Sequence, residues 1–210
     1  MNVETNYHKD WQNNRINFIL SMYPKEFFKD KKILELGSFN GYFGESFRRM
    51  GASVLSIEGR PENVISIRNN FPELLIECRD LDTNTWEWGE WDIIINFGLI
   101  YHLEKHHKEH LENCINNCNL LFLESVIYDS NQSEIFFKNE SGGDQSLSDV
   151  GGTPSTSYVE DILNNLNTKF TKYTTSNLNG IYHHYDWVDT GLKNYDGWAR
   201  RFWVVENNQK

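Results

Sequence analysis

The sequence predicts an α/β protein: a doubly wound sheet of about seven strands, mostly parallel with an antiparallel last strand, and helices on both faces. Two observations carry this. Short apolar runs of strand length alternate with stretches of helical periodicity along most of the chain. The first such run, Ile33, Leu34 and Leu36, stops at Gly37, is followed by Gly41 and Gly44, and reopens as a helix from Tyr42. A strand that ends on glycine and turns into a helix makes a backbone cradle for a ligand at the carboxyl edge of a parallel sheet.

Residues 7–23 carry Trp11, Ile16, Phe18, Ile19, Leu20 and Met22 as a rough helical stripe, closed by Pro24. They are expected to form a helix packed on the sheet or over the ligand. The first strand follows at about 32–37, and a helix at about 41–50 is capped by Gly51. Val54–Glu58 is the second strand, and Pro61 suits the first turn of a helix that runs to about Asn70. Leu74–Cys78 is the third strand, leading into Arg79-Asp80-Leu81. In the fourth, Asp92–Phe97, the β-branched run Ile93-Ile94-Ile95 fits burial on both faces. A helix at about 104–117 and the strand Leu120–Val126 come next. Residues 129–156 are polar and longer than an ordinary connection. Ser157–Leu166 reads as a helix, and Lys169–Thr175 and Arg201–Val205 as the last two strands. A loop, not a helix, separates those two, so they are expected to pair antiparallel. The whole reads as a single domain over 1–210, with cap-like insertions at 127–156 and 177–199.

Composition narrows the function. The chain has 210 residues with 7 Trp, 10 Tyr and 13 Phe, which favours a packed core over disorder, and a formal net charge of −10. A duplex-binding protein needs a basic face to neutralise phosphates, and no such run is present, so nucleic acid is not the expected partner. Cys78, Cys114 and Cys118 form an odd set without disulfide spacing, as expected of reduced thiols in a cytoplasm. No apolar stretch reaches membrane-spanning length, and no membrane partner is expected.

The candidate site lies at the strand ends. Glu35-x-Gly37-x-x-x-Gly41, then Glu58, Asp80-Leu81 and Asn96-Phe97-Gly98 each follow or close an apolar strand, so all should line one edge. Glu58 comes 21 residues after Gly37, where a carboxylate accepts hydrogen bonds from both ribose hydroxyls. The dinucleotide fingerprint G-x-G-x-x-G is absent, and so is a P-loop Lys-Ser/Thr. Glu35 beside the cradle would repel a pyrophosphate and suit a cationic ligand.

These segments resemble the class I S-adenosylmethionine-dependent methyltransferases. Ile33–Gly41 is similar to their first motif, Val54–Glu58 to the acidic second strand, Asp80-Leu81 to the adenine edge, and Trp91–Leu103 to the fourth-strand motif. The resemblance covers roughly 32–126 and implies a Rossmann-like fold with S-adenosylmethionine as cofactor and S-adenosylhomocysteine as product. It implies that Gly37 and Gly41 pass the methionine part along the backbone, with Glu35 near its ammonium. Glu58 would hold the ribose, Asp80 and the Leu81 N–H the adenine, and the backbone of Asn96 and Phe97 the amino acid part. Tyr42, Gly59 and Arg60 are looser members of the same set.

Methyl transfer needs an aligned nucleophile, exclusion of water and, for a hydroxyl or ammonium acceptor, a base. His102, just past the fourth strand, is the first candidate base, against a packing or capping role. His183 and His184 are the runners-up, against aromatic packing in the second insertion. Asp144 and Gln145 in the first insertion are further candidates for the acceptor pocket, and Arg200 and Arg201 are candidates to bind an acidic acceptor, against simply starting an edge strand. His102, His106, His110, Cys114 and Cys118 recur every four residues, but steps of four overshoot a 3.6-residue turn and cannot converge on one ion; no metal is expected there. The expected activity is methyl transfer to an oxygen or nitrogen of a small molecule such as a sugar or metabolite. The alternatives are an RNA modifier, since Asn96–Leu103 also resembles some wobble-uridine enzymes, and a non-catalytic cofactor-binding scaffold.

Overall fold

The structure, a computed structural model, describes residues 3–83, 87–142 and 145–207, with side chains from Asp10 onward. In chain order the elements are α1 (Val3–Met22), β1 (Lys32–Leu36), α2 (Tyr42–Arg49), β2 (Ser53–Glu58), α3 (Pro61–Asn70), β3 (Leu75–Cys78), β4 (Trp91–Phe97), α4 (His107–Asn116), β5 (Cys118–Val126), β6 (Ile135–Asn139), β7 (Val150–Pro154), α5 (Thr156–Asn165), β8 (Lys169–Tyr173) and β9 (Arg200–Glu206). Seven strands form one sheet in the order β3-β2-β1-β4-β5-β9-β8. Neighbours from β3 to β5 pair in parallel, and β9 runs antiparallel to both β5 and β8. Strand order reverses between β1 and β4, so a crevice opens at their carboxyl ends.

Alternation within the strands builds two cores. Ile33, Ile93, Ile95, Phe122 and Phe202 face α1, α2 and α3, where Ile19, Phe47 and Ile67 are fully buried. Leu34, Leu36, Ile94, Leu121 and Trp203 face α4 and α5, against Leu111, Ile115, Val159 and Leu163. Side chains at successive strand positions point to opposite faces, which is why Ile93, Ile94 and Ile95 all disappear from solvent.

Local chemistry sets several element ends. Gly41 opens α2 in the left-handed region at φ 74°, where a Cβ would also come within 2.9 Å of Ile67 Cγ2. The Ser155 hydroxyl accepts from the Tyr158 N–H at 3.1 Å and caps α5, satisfying one of the free donors of the first turn. The first insertion is not a plain loop: β6 and β7 form an antiparallel hairpin from Ile135↔Pro154 to Asn139↔Val150. Gly151 and Gly152 lie in β7, where the strand packs closely on its neighbours. A Cβ on Gly152 would meet His107 Cε1 at 2.6 Å, and one on Gly151 the Tyr101 carbonyl at 2.7 Å. The second insertion folds back along α1: Leu178 and Tyr185 are fully buried, and Asn14 Nδ2 donates to the Asn179 carbonyl at 2.6 Å. Among the described residues, no helix is long and apolar enough to cross a membrane.

Candidate active site

A cavity of about 350 Å³ opens at the carboxyl ends of β1, β2 and β4, within the usual size of small-molecule sites (~300–1,000 Å³). Of the residues singled out from the sequence, Gly37, Glu58, Gly59, Arg60, Asp80, Leu81, Phe97, His102 and His183 line it. On one side the Glu58 carboxylate, at the end of β2, accepts from the N–H groups of Phe39 at 2.7 Å and Arg60 at 3.0 Å, and from Asn63 Nδ2 at 3.2 Å. A carboxylate offers about four acceptor sites, so it keeps capacity for a ligand. The Arg60 guanidinium donates to the carbonyls of Gly142, Gln145 and Ser146, each at 3.1 Å. It thereby ties the first insertion to the mouth of the cavity, whose lining includes residues 145–148.

The other side is built by residues distant in sequence. His102 closes a short 3-10 turn, Ile100–His102, after β4. Its Nδ1 meets Glu140 Oε2 at 2.6 Å. Glu140 follows β6 and is buried; Lys138 Nζ is 3.0 Å from its other oxygen. Burial alone would raise the Glu140 pKa, but the hydrogen bonds and charges of His102 and Lys138 outweigh it and hold it below the usual carboxylate range. Trp11 and Arg200 also line the cavity. Beneath them Glu124, fully buried, binds Arg15 Nη2 at 3.0 Å, Arg200 Nη1 at 2.9 Å and the Tyr185 hydroxyl at 2.7 Å. Burial pushes Glu124 up, and the two guanidinium charges more than reverse this, to about 2.

Six of the sequence candidates lie elsewhere, among them Arg201, which is buried and donates to the carbonyls of Tyr185 and Trp187 beside an ion pair with Asp189. Glu35 is in mid-strand on the face covered by α2, not at the edge. It is buried, accepts from Ser56 Oγ at 2.5 Å, and lies so close to α2 that a Cβ on Gly44 would be 2.5 Å from its Oε2. Asn96 points the opposite way, into the α4 side, with its Nδ2 2.8 Å from His110 Nε2 and 3.6 Å from Cys114 Sγ. Gly41 is occupied by packing against α3. The Tyr42 hydroxyl bonds Asn13 on α1. His184 is exposed, and its backbone pairs with the chain at Trp198 and Arg200. Asp144 lies outside the described residues. Conversely, Trp11 and Asp82 line the cavity and Glu140 backs it through His102, without any local sequence pattern that marks them as site residues. Asp82 accepts from the N–H groups of Glu104, Lys105 and His106 at 2.8, 3.1 and 2.9 Å, fixing the entry to α4 beside the cavity.

The relocation of Glu35 has a pH signature. Burial, stronger than the hydrogen bonds from Ser56 and the Gly44 N–H, raises its pKa from 4.5 to about 7. The folded protein then keeps a proton that the unfolded chain loses, so this contribution to stability is full below pH 4.5 and is lost as the pH rises to 7. His110 acts in the opposite direction, since burial lowers it from 6.5 to about 4. Glu35→Gln removes only the first slope. The stability of this variant relative to wild type, from urea unfolding, is expected to grow by about 3 kcal/mol between pH 4.5 and 7. A difference that stays constant with pH would show that Glu35 is ionised in the folded protein.

No protein-family model and no curated protein matches the chain. Solved structures match in fold. The N-terminal domain of EvdMO1 with SAH bound aligns at a TM-score of 0.63 and 16% identity, over 94% of this chain and 80% of that one. The same domain in the presence of SAH and D-fucose aligns with equal TM-score and identity. An S-adenosylmethionine-dependent methyltransferase from Mesorhizobium loti aligns at 0.64 and 11% identity, over 92% and 97% of the two chains. Magnesium protoporphyrin IX methyltransferase from Synechocystis PCC 6803 with bound SAM aligns at 0.64 and 10%, over 99% and 85%. With the strand order and the reversed β9, this likeness establishes that the chain has the class I S-adenosylmethionine-dependent methyltransferase fold.

Proposed function

We propose that the chain is a single-domain methyltransferase that moves a methyl group from S-adenosylmethionine to an oxygen or nitrogen of a small molecule. The observation that carries this reading is one cavity with two chemically different walls: Gly37, Glu58 and Leu81 on one, and the His102–Glu140 pair on the other. Glu58 has unused acceptor capacity for ribose hydroxyls, Asp80 and the Leu81 N–H would take the adenine edge, and the backbone at Gly37 and Phe97 would flank the methionine part. The cofactor supplies an already activated methyl group, so the protein chiefly aligns, excludes water and handles a proton.

His102 is the proposed proton acceptor. If Nδ1–H donates to Glu140, Nε2 is left with a lone pair, and Glu140 fixes the ring orientation. Glu140 is therefore a positioning residue. His183, buried with its ring 5.5 Å from that of Trp11, is the second candidate. A sugar acceptor is compatible with the neighbour solved in the presence of D-fucose. The chain's negative charge favours a small acceptor over RNA. Cytoplasmic residence belongs to the same reading, resting on three cysteines that form no disulfide.

Glu58→Gln tests the cofactor wall. The amide nitrogen cannot accept, so the ribose loses a charge-assisted bond (about 1.5–3 kcal/mol). The dissociation constant for S-adenosylmethionine is expected to rise about 10- to 100-fold by isothermal titration calorimetry. Unchanged affinity would remove Glu58 from that role.

A further inference from the structure

Arg200 opens β9 and its side chain is only 7% exposed, yet it lines the cavity. Nη1 is engaged by Glu124, and Nη2 donates to the Tyr101 hydroxyl at 3.2 Å. Among the described residues Nε has no partner, and neither does Nε1 of Trp11, another lining residue. Both orphans are donors, and buried donors without acceptors are costly. Charge points the same way. Arg15 and Arg200 share the single carboxylate of Glu124, leaving one positive charge in excess, while the nearby Lys138 and Glu140 neutralise each other. A ligand that complements this wall brings acceptor oxygens and a negative charge. The Nε–Nη2 edge of a guanidinium matches a carboxylate in two-point geometry.

The sheet order separates this wall from the cofactor wall. Glu124 holds the guanidinium at β5, two strand steps, or about 10 Å, from β1 with its glycine cradle, and further from Glu58 on β2. We propose that Arg200, assisted by the Tyr101 hydroxyl and the Trp11 indole N–H, binds a carboxylate of the methyl acceptor, so that the acceptors are carboxylate-bearing small molecules. This rests on the methyltransferase reading.

The test is calorimetric and uses the whole chain. S-adenosylhomocysteine is titrated first; failure to bind would defeat the cofactor reading itself. Benzoate and acetate are then titrated into the loaded protein beside their neutral counterparts, benzamide and acetamide. At least one acid is expected to bind about tenfold or more tightly than its amide. That preference is expected to vanish in Arg200→Gln, where Glu124 keeps Arg15 as its partner. It is expected to shrink about threefold in Tyr101→Phe, which keeps the ring, and in Trp11→Phe, which keeps an aromatic side chain without the N–H; both serve if Arg200→Gln does not fold. Binding of S-adenosylhomocysteine without any preference for the acids would overturn the inference, as would a preference that survives all three substitutions. The remaining source of a carboxylate is the cofactor's own amino acid part. If Arg200→Gln weakens S-adenosylhomocysteine tenfold but spares 5′-methylthioadenosine, which lacks that part, Arg200 serves the cofactor and the acceptor inference falls.

Discussion

His102→Ala is expected to lower turnover by about 10²–10⁴-fold, the usual contribution of a positioned general base, while the affinity for S-adenosylmethionine stays within about threefold. The expectation follows from geometry. The ring lines the cavity, and its Nδ1 is held 2.6 Å from a buried carboxylate that Lys138 and the Ser146 N–H also hold. Glu140→Gln keeps the shape but weakens the constraint on tautomer and orientation. It should cost less, about tenfold, because the amide still offers an oxygen to Nδ1 but holds the ring without the charge. The Michaelis constant for the methyl donor should hardly move in either variant. Full turnover in His102→Ala with cofactor binding intact would transfer the proton-accepting role to His183 or remove it from the chemistry.

Glu124→Gln is expected to destabilise the fold by about 3–5 kcal/mol, because it strands two buried guanidinium groups without a counter-charge. Glu124 is the centre of a network that joins α1 through Arg15, the second insertion through Tyr185 and β9 through Arg200. Its pKa of about 2, against 4.5 unfolded, points to a similar size: about 3 kcal/mol that is present above pH 4.5 and is lost as the pH falls towards 2. The urea midpoint at pH 7 should therefore drop sharply in the variant, and its stability should change less than that of wild type between pH 4.5 and 2. A wild-type midpoint in Glu124→Gln would show that solvent reaches the cluster.

The parts of the fold that were legible in the sequence are those whose signal is local. Ile33–Gly37, Val54–Glu58 and Ile93–Gly98 each carry strand length, β-branched or aliphatic side chains and a glycine or acidic stop, and all became sheet strands ending at the cavity. The β6–β7 hairpin carries no such local signal: Phe136 and Phe137 are both exposed, so there is no alternation of apolar and polar residues, and Gly151 and Gly152 serve close packing that only the fold creates. Within the site the period of two decided the outcome. Glu35 shares the face of Ile33 and lies under α2, Asn96 shares the face of Ile94 and lies under α4, and only residues at or beyond the last strand position reach the edge. Trp11, Glu140 and Arg200 come from the first helix, the hairpin and the last strand. Their meeting depends on long-range packing that no local pattern encodes. Arg200 was a candidate from its charge alone, but its excess over Glu124 needed the fold.

Every role assigned to the cavity walls requires that the cavity take the adenosyl cofactor. Titration calorimetry of the wild-type chain with S-adenosylhomocysteine measures it directly. Saturable binding at one site per chain is expected, competitive with S-adenosylmethionine and weakened in Glu58→Gln. Absence of binding in folded protein, or binding that Glu58→Gln leaves untouched, would contradict it.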